Sequence, residues 1–280
     1  MSTAVQKETL KEEKPKSGKS KKTEKRDADF ILNFGPDVSV NYGKDEIEKA
    51  KENNVKVVEP LRREYSFYGD LKSKLHIVLV KNYLDQEYAD RVFEGLKRIR
   101  YNSDEESMIK IMGKKIKIPR KQTAFGDPGA NYHFSGISVQ ARDWTQDDGT
   151  IDTEMGNELR QICRRVEKTA GRKFNYVLIN NYLDQTNSIG YHSDDERELG
   201  EFPVIAGLSL GEEREIYFKS KINGKVVKIS LPHNSLVVMH YPTNTYWEHC
   251  IPKVKSYLGQ RISLTFRSVD ERLKTKGVSK

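Results

Sequence analysis

The last apolar segment of the chain, Arg261-Ile262-Ser263-Leu264-Thr265-Phe266-Arg267, alternates without a break. Successive side chains of a β-strand point to opposite faces. Ile262, Leu264 and Phe266 therefore share one face, and Arg261, Ser263, Thr265 and Arg267 the other. Such a strand must separate a hydrocarbon layer from a polar one. Either its polar face meets solvent, or that face lines the mouth of a barrel whose contents call for two guanidiniums.

The segments leading up to it have the same texture of short strands and turns. Strands are predicted over Tyr176 to Tyr182, Val204 to Leu210, Glu215 to Lys219, Lys225 to Ile229 and Ser235 to Met239. Asn223-Gly224 is the strongest hairpin signal, because both residues tolerate the positive φ of a two-residue turn. Further upstream, Leu75 to Val80 reads as a buried strand. Gln86 to Arg100 carries Tyr88, Val92, Phe93, Leu96 and Ile99 at helical spacing, and Thr153 to Ala170 carries Met155, Leu159, Ile162, Cys163 and Val166. Ile109 to Ile118 reads as a hairpin turning at Gly113, and Asp45 to Lys51 as a short helix. Two helices followed by many short strands give an α+β fold, a double-sheet jelly roll buttressed by helices.

Residues 1–28 hold almost nothing to bury and read as a disordered tail. Lys14 to Arg26 contains seven basic residues and one acid, which suits a nuclear signal, a DNA tether or a solubilising tail. The formal net charge is +8, which favours a polyanionic partner. The two cysteines, Cys163 and Cys250, form no framework, so a reducing compartment is expected, and no apolar run is long enough for a membrane span.

Six histidines are available for chemistry. In Gly190-Tyr191-His192-Ser193-Asp194, residues i and i+2 of an extended chain point the same way. An imidazole and a carboxylate could thus reach one ion. Two histidines and a carboxylate leave three positions of an octahedron open, as non-haem iron(II) oxygenases require. His233, His240 and His249 all qualify by type as the third ligand. Arg261 and Arg267, if inward, suit a dicarboxylate such as 2-oxoglutarate, since each guanidinium can bind a carboxylate with paired hydrogen bonds. Asn180 and Tyr182 share one face of an earlier strand and could bond the same ligand.

Seven stretches in order resemble the AlkB family of nucleic-acid dealkylating dioxygenases, in particular its eukaryotic DNA-repair branch. They are Pro119-Arg120-Lys121-Gln122, Tyr132-His133-Phe134-Ser135-Gly136, Leu178-Ile179-Asn180-Asn181-Tyr182, His192-Ser193-Asp194-Asp195-Glu196-Arg197-Glu198-Leu199, Ser209-Leu210-Gly211, Pro242-Thr243-Asn244-Thr245 and Arg261 to Arg267. The resemblance covers roughly residues 67 to 268. It implies a dioxygenase domain over 67–268 with a nucleotide-recognition lid at about 101–145, an extension at 29–66 and a C-terminal tail at 269–280.

The resemblance also implies roles. His192, Asp194 and His249 look like the iron ligands, His249 because it falls twelve residues before Arg261. Arg261 and Tyr182 look like partners of the distal carboxylate of 2-oxoglutarate, and Arg267 and Asn180 of its keto acid end, with Ser263 and Thr265 beside them. Ser263 stands where some members carry Asn. Tyr132 and Phe134, next to Ser135, look like the wall on which the damaged base stacks. Asp195 and Glu196 look like readers of its edge or positive charge. Lys110, Lys114, Lys115, Lys117, Arg120 and Lys121, with Gln122, suggest a hairpin gripping phosphates. Met112, just before Gly113, stands where the repair branch places an aromatic wedge. Lys219, Lys221, Lys225 and Lys228 flank the Asn223-Gly224 turn and suit a second strand.

The activity implied by the resemblance is oxidative demethylation of 1-methyladenine and 3-methylcytosine in DNA, with release of formaldehyde and succinate. Iron(II), 2-oxoglutarate and O2 are implied, with ascorbate as a reductant. The alternatives are a demethylase of single-stranded RNA and a non-catalytic nucleic-acid-binding module. A monomer in the nucleus or cytoplasm, without membrane attachment, is expected.

Overall fold

The computed structural model describes residues 63–111, 114–134, 137–270 and 272, with backbone alone over 110, 111, 114 and 115. The basic tail, the extension up to residue 62, the helix expected at 45–51, Met112, Gly113, Ser135, Gly136 and most of the C-terminal tail lie outside the described residues.

Both expected helices form. Helix α1, Gln86–Arg98, buries Ala89, Val92 and Leu96 along one stripe. Asp85 caps it by accepting from the Tyr88 amide at 3.1 Å, and Lys97 and Arg98 sit at its carboxyl end, where cations complement the helix dipole. Helix α2, Ile151–Ala170, is capped by Thr150 and closed by Gly171 in the left-handed conformation. Its stripe of Met155, Leu159, Ile162, Cys163 and Val166 is buried.

The strands, in chain order, are β1 Glu64–Tyr68, β2 Ile77–Lys81, β3 Met108–Ile111, β4 Lys114–Lys117, β5 Lys121–Gly126, β6 Asn131–Phe134, β7 Ile137–Gln140, β8 Arg142–Asp143, β9 Tyr176–Tyr182, β10 Ile189–His192, β11 Ile205–Gly211, β12 Arg214–Ser220, β13 Val226–Leu231, β14 Ser235–Met239, β15 Trp247–Ile251 and β16 Arg261–Arg267. Eight build a large sheet in the order β1-β2-β14-β11-β16-β9-β5-β8, and four a smaller one in the order β10-β15-β12-β13. The β3–β4 and β6–β7 ribbons stand apart from both sheets. The result is the jelly-roll core the texture predicted. Strands β1, β5 to β8, β10 and β15 had no counterpart among the predicted ones. Strand β5 shows why: its sequence KQTAFG neither alternates nor runs apolar, yet every residue after Lys121 is buried.

The two faces of the large sheet meet different layers. Ile262, Leu264 and Phe266 of β16 join Ile179, Leu208 and Leu236 in one core with Leu96, Leu159 and Val166 of the helices. Leu178, Val237 and Met239 face the other way and pack against Ile216, Phe218 and Ile251 of the smaller sheet. Each fully buried Leu or Phe contributes about 1.5–3 kcal/mol. A one-residue slip of β16 would drive its arginines into the helical core, so the register is strongly fixed. At the β11–β12 turn, Gly211 has φ +88°, and a Cβ there would lie 2.6 Å from the Phe93 ring of α1. Only glycine lets the turn close on the helix.

His240, just past β14, is half-buried with its ring turned in, and desolvation followed by His76 pushes its imidazole down to about 4. Its folded value lies below the ordinary 6.5, so the unfolded chain takes up the proton first. The stabilisation is whole above pH 6.5 and is lost as pH falls toward 4. We expect thermal unfolding of His240→Gln to lose less stability than the wild type between pH 7 and 4, by about 3 kcal/mol at the acid end.

Candidate active site

Strand pairing, and not proximity in the chain, brings the two histidines together. Strand β10 runs antiparallel to β15 with His192 directly opposite His249, after a register shift between Ile189 and His192. Their rings lie 4.2 Å apart. Asp194 follows two residues on, with Oδ1 3.9 Å from His192 Nε2. One ligand atom from each of His192, Asp194 and His249 lies within 4.8 Å of the others. His192 Nδ1 donates to the Gly190 carbonyl at 2.9 Å. That bond orients the ring and leaves the Nε2 lone pair for a metal.

The protonation states suit ligation. Burial, with His192 adding to it, pushes His249 down to about 3, so its imidazole is neutral at physiological pH. Burial alone would raise Asp194, but Arg267, His249 and His192 outweigh it and hold the carboxyl at about 2. Asp194 Oδ2 is buried without a partner among the described residues. Two imidazoles and a carboxylate with an unused oxygen fit an iron(II) ion. The other histidines are engaged elsewhere. His233 accepts from the Gly211 amide at 2.8 Å and lies 3.2 Å from Asp90, and the His240 amide bonds the His76 carbonyl at 3.0 Å.

Both arginines of β16 point inward. Arg261 stands opposite Tyr182 in the β9 register, with its guanidinium over the Tyr182 ring and one nitrogen donating to Ser209 Oγ at 2.8 Å. Arg267 donates to Asp194 Oδ1 at 3.0 Å and lies over the Tyr132 ring at 4.6 Å. Burial pushes Arg261 down to about 10, which still leaves it cationic. Burial would lower Arg267 too, but Asp194 and Tyr132 raise it. On each guanidinium, Nε and Nη1 are buried without an acceptor among the described residues. Four such donors need an anion, and two guanidiniums beside a metal triad suit a dicarboxylate that chelates through its keto acid end. Ser263 and Thr265 line the cavity between the two arginines.

Asn180, opposite Ser263, has its Oδ1 taken by Arg120 Nε at 2.7 Å and Gln122 Nε2 at 2.6 Å. The structure thus places Arg120 and Gln122 inside, against Asn180, and not on an exposed phosphate-facing surface. Both are buried, since β5 pairs directly with β9 with Gln122 opposite Asn180 and Arg120 immediately precedes β5; Arg120 also lines the cavity. Lys121 alone of the three is exposed. Sequence reasoning assigned no role to Ser209. Its signal was position, since Ser209 faces Ser263 across β11 and β16.

A cavity of about 620 Å³ joins these groups to a second wall. Tyr132 and Phe134 of β6 lie ring to ring at 5.5 Å on that wall. The Tyr132 hydroxyl donates to Glu196 Oε2 at 2.5 Å. Glu196 is half-buried, and burial raises its carboxyl above the usual range. Asp195 sits exposed at the rim, 3.9 Å from Lys221. Lys117 pairs with Asp104 and the β3–β4 hairpin forms as expected, while Lys114 is described by its backbone only.

The two arginines differ in what they hold, and substitution separates them. We expect Arg261→Leu to weaken 2-oxoglutarate binding by about 100-fold, as befits two charge-assisted bonds, with Mn²⁺ affinity intact. Arg267→Leu should weaken both, because it also leaves Asp194 unpaired. Titration calorimetry with Mn²⁺, then with 2-oxoglutarate, checks this; equal behaviour of the two variants would contradict it.

Residues 76–267 match the 2OG-Fe(II) oxygenase superfamily. The chain is 37% identical over 190 residues to the DNA oxidative demethylase ALKBH2 of Bos taurus and to that of Homo sapiens, covering 65% of this chain. The matched region spans 64% of the cattle protein and 69% of the human one, about two thirds of their length. It is also 38% identical over 120 residues to the human alpha-ketoglutarate-dependent dioxygenase alkB homolog 3, covering 40% of this chain and 42% of that one. With the metal triad and the paired arginines inside the matched region, the chain belongs to the AlkB family of the 2OG-Fe(II) oxygenase superfamily.

Proposed function

We propose that this protein is a DNA oxidative demethylase that removes methyl groups from ring nitrogens of damaged bases, 1-methyladenine and 3-methylcytosine, as a direct-reversal repair step. The observation that carries the reading is one cavity with three walls: the triad His192, Asp194 and His249, the cationic floor of Arg261 and Arg267, and the aromatic side of Tyr132 and Phe134. The likeness to proteins named DNA oxidative demethylase supports DNA as the polymer.

When bound, iron(II) with 2-oxoglutarate and O2 supplies an oxidant for a C–H bond, the cosubstrate leaving as succinate and CO2. The chain does the rest. His192, Asp194 and His249 would hold the metal, and Arg267 keeps Asp194 ionised and oriented. Arg261, with Ser209 and Tyr182 behind it, anchors the distal carboxylate. A base inside a duplex cannot reach such a cavity, so the target must be flipped out or already single-stranded. Tyr132 and Phe134 give its ring a stacking face. A base methylated at a ring nitrogen is cationic, and Glu196 lies where a negative charge favours it. A hydroxymethyl group on that nitrogen then collapses to formaldehyde and the restored base.

The basic hairpin and the lysines at the β12–β13 turn suit the phosphates of the same strand and its partner. Single-stranded RNA is the competing polymer. A nuclear monomer, with ascorbate as reductant, completes the proposal; no helix among the described residues is long and apolar enough to cross a membrane.

Incubation with iron(II), 2-oxoglutarate and oligonucleotides bearing 1-methyladenine or 3-methylcytosine should release formaldehyde from DNA at least tenfold faster than from RNA of the same sequence. Asp194→Ala should release none. Equal rates on RNA would favour the competing polymer, and succinate without formaldehyde on every methylated strand would remove the proposal.

A further inference from the structure

Glu198 lies past the metal-bearing loop, four residues beyond Asp194, in the short 3-10 turn Arg197–Leu199. It is a buried carboxylate, 4% exposed, and it does not line the cavity. Burying an acid is costly unless it is paired or hydrogen-bonded. Its Oε1 accepts from the backbone amide of His133 at 2.6 Å, and His133 Nδ1 lies 3.4 Å from the same oxygen. His133 sits in β6 between Tyr132 and Phe134, on the edge of a two-stranded ribbon. An edge amide of such a ribbon has no strand to pair with, and here a carboxylate takes the place of a strand. On its main chain, the Glu198 carbonyl accepts from the Asp270 amide at 2.8 Å, three residues beyond Arg267.

One residue thus joins three parts of the site: the segment after β10 that carries Asp194, the ribbon that carries the aromatic wall, and the strand end that carries Arg267. A second tie joins the loop to the ribbon, the bond from Tyr132 to Glu196. That tie faces the cavity and is open to competition from a bound base. The Glu198 bond lies behind the wall and is not. We propose that Glu198 is a positioning residue for substrate recognition: it fixes the distance between the aromatic wall and the metal loop, and so the depth at which a methylated base sits. The inference rests on the demethylase reading of the same cavity.

The measurement is equilibrium binding without turnover. Protein loaded with Mn²⁺ and 2-oxoglutarate under anaerobic conditions is titrated with a single-stranded oligonucleotide carrying one 1-methyladenine, and with its unmethylated twin, by fluorescence anisotropy. We expect Glu198→Met, close in volume but without an acceptor, to lose about tenfold of the preference for the methylated strand. Its affinity for the unmethylated strand, Mn²⁺ and 2-oxoglutarate should stay within about twofold of wild type. Glu198→Gln keeps an acceptor oxygen and should retain most of the preference. If Glu198→Met keeps the full preference, the inference is wrong. It is equally wrong if Mn²⁺ affinity and preference fall together, since the residue is then merely structural. A wild-type protein that shows no preference for the methylated strand counts against the demethylase reading itself.

Discussion

The buried ion pair between Arg267 and Asp194 is the contact on which the site depends. At 3.0 Å, inside the barrel, it joins the last strand of the large sheet to the loop after the first strand of the smaller one. A charge without its partner in that environment costs several kcal/mol, so the two sheets are held at the spacing that lets both groups meet. The pair keeps Asp194 ionised for a metal. It also leaves two donors of Arg267 free for an anion. One guanidinium thus faces both the carboxylate of the triad and the open cavity.

The rest of the fold serves that spacing. Helices α1 and α2 bury the hydrocarbon face of the large sheet, which forces its polar face inward. The smaller sheet closes over it and brings His249 opposite His192. The β6–β7 ribbon adds an aromatic wall, tied to the metal loop by Glu196 in front and Glu198 behind. Each layer leaves the next with polar groups that only the cavity can satisfy.

Much of this was legible in the chain. The helical stripes, the strands Tyr176–Tyr182, Ser235–Met239 and Arg261–Arg267, and the β12–β13 hairpin follow from periods of 3.6 and 2 and from Asn223-Gly224. The spacing of His192 and Asp194 made a metal plausible, and the ordered motifs singled out His249 among three candidates. Strands whose residues are polar and buried together escaped, β5 above all. Local pattern encodes which face meets a neighbour only when the two faces differ in polarity. In β5 both faces are covered, so nothing in KQTAFG marks it.

The sequence by itself determined the alternation of β16, the spacing of His192 and Asp194 and the family, because these rest on residue types at fixed spacings. It left open whether Arg261 and Arg267 face water or a cavity, and that was for the tertiary structure to decide. Only when helices cover one face of the sheet does the other become an interior. The inward turn of Arg120 and Gln122, the partnership of Ser209 with Arg261 and the reach of Glu198 to His133 were decided the same way. Each joins residues more than 50 apart in the chain, the His133–Glu198 pair by 65. Contacts of that range depend on strand register and sheet stacking, which no local pattern carries.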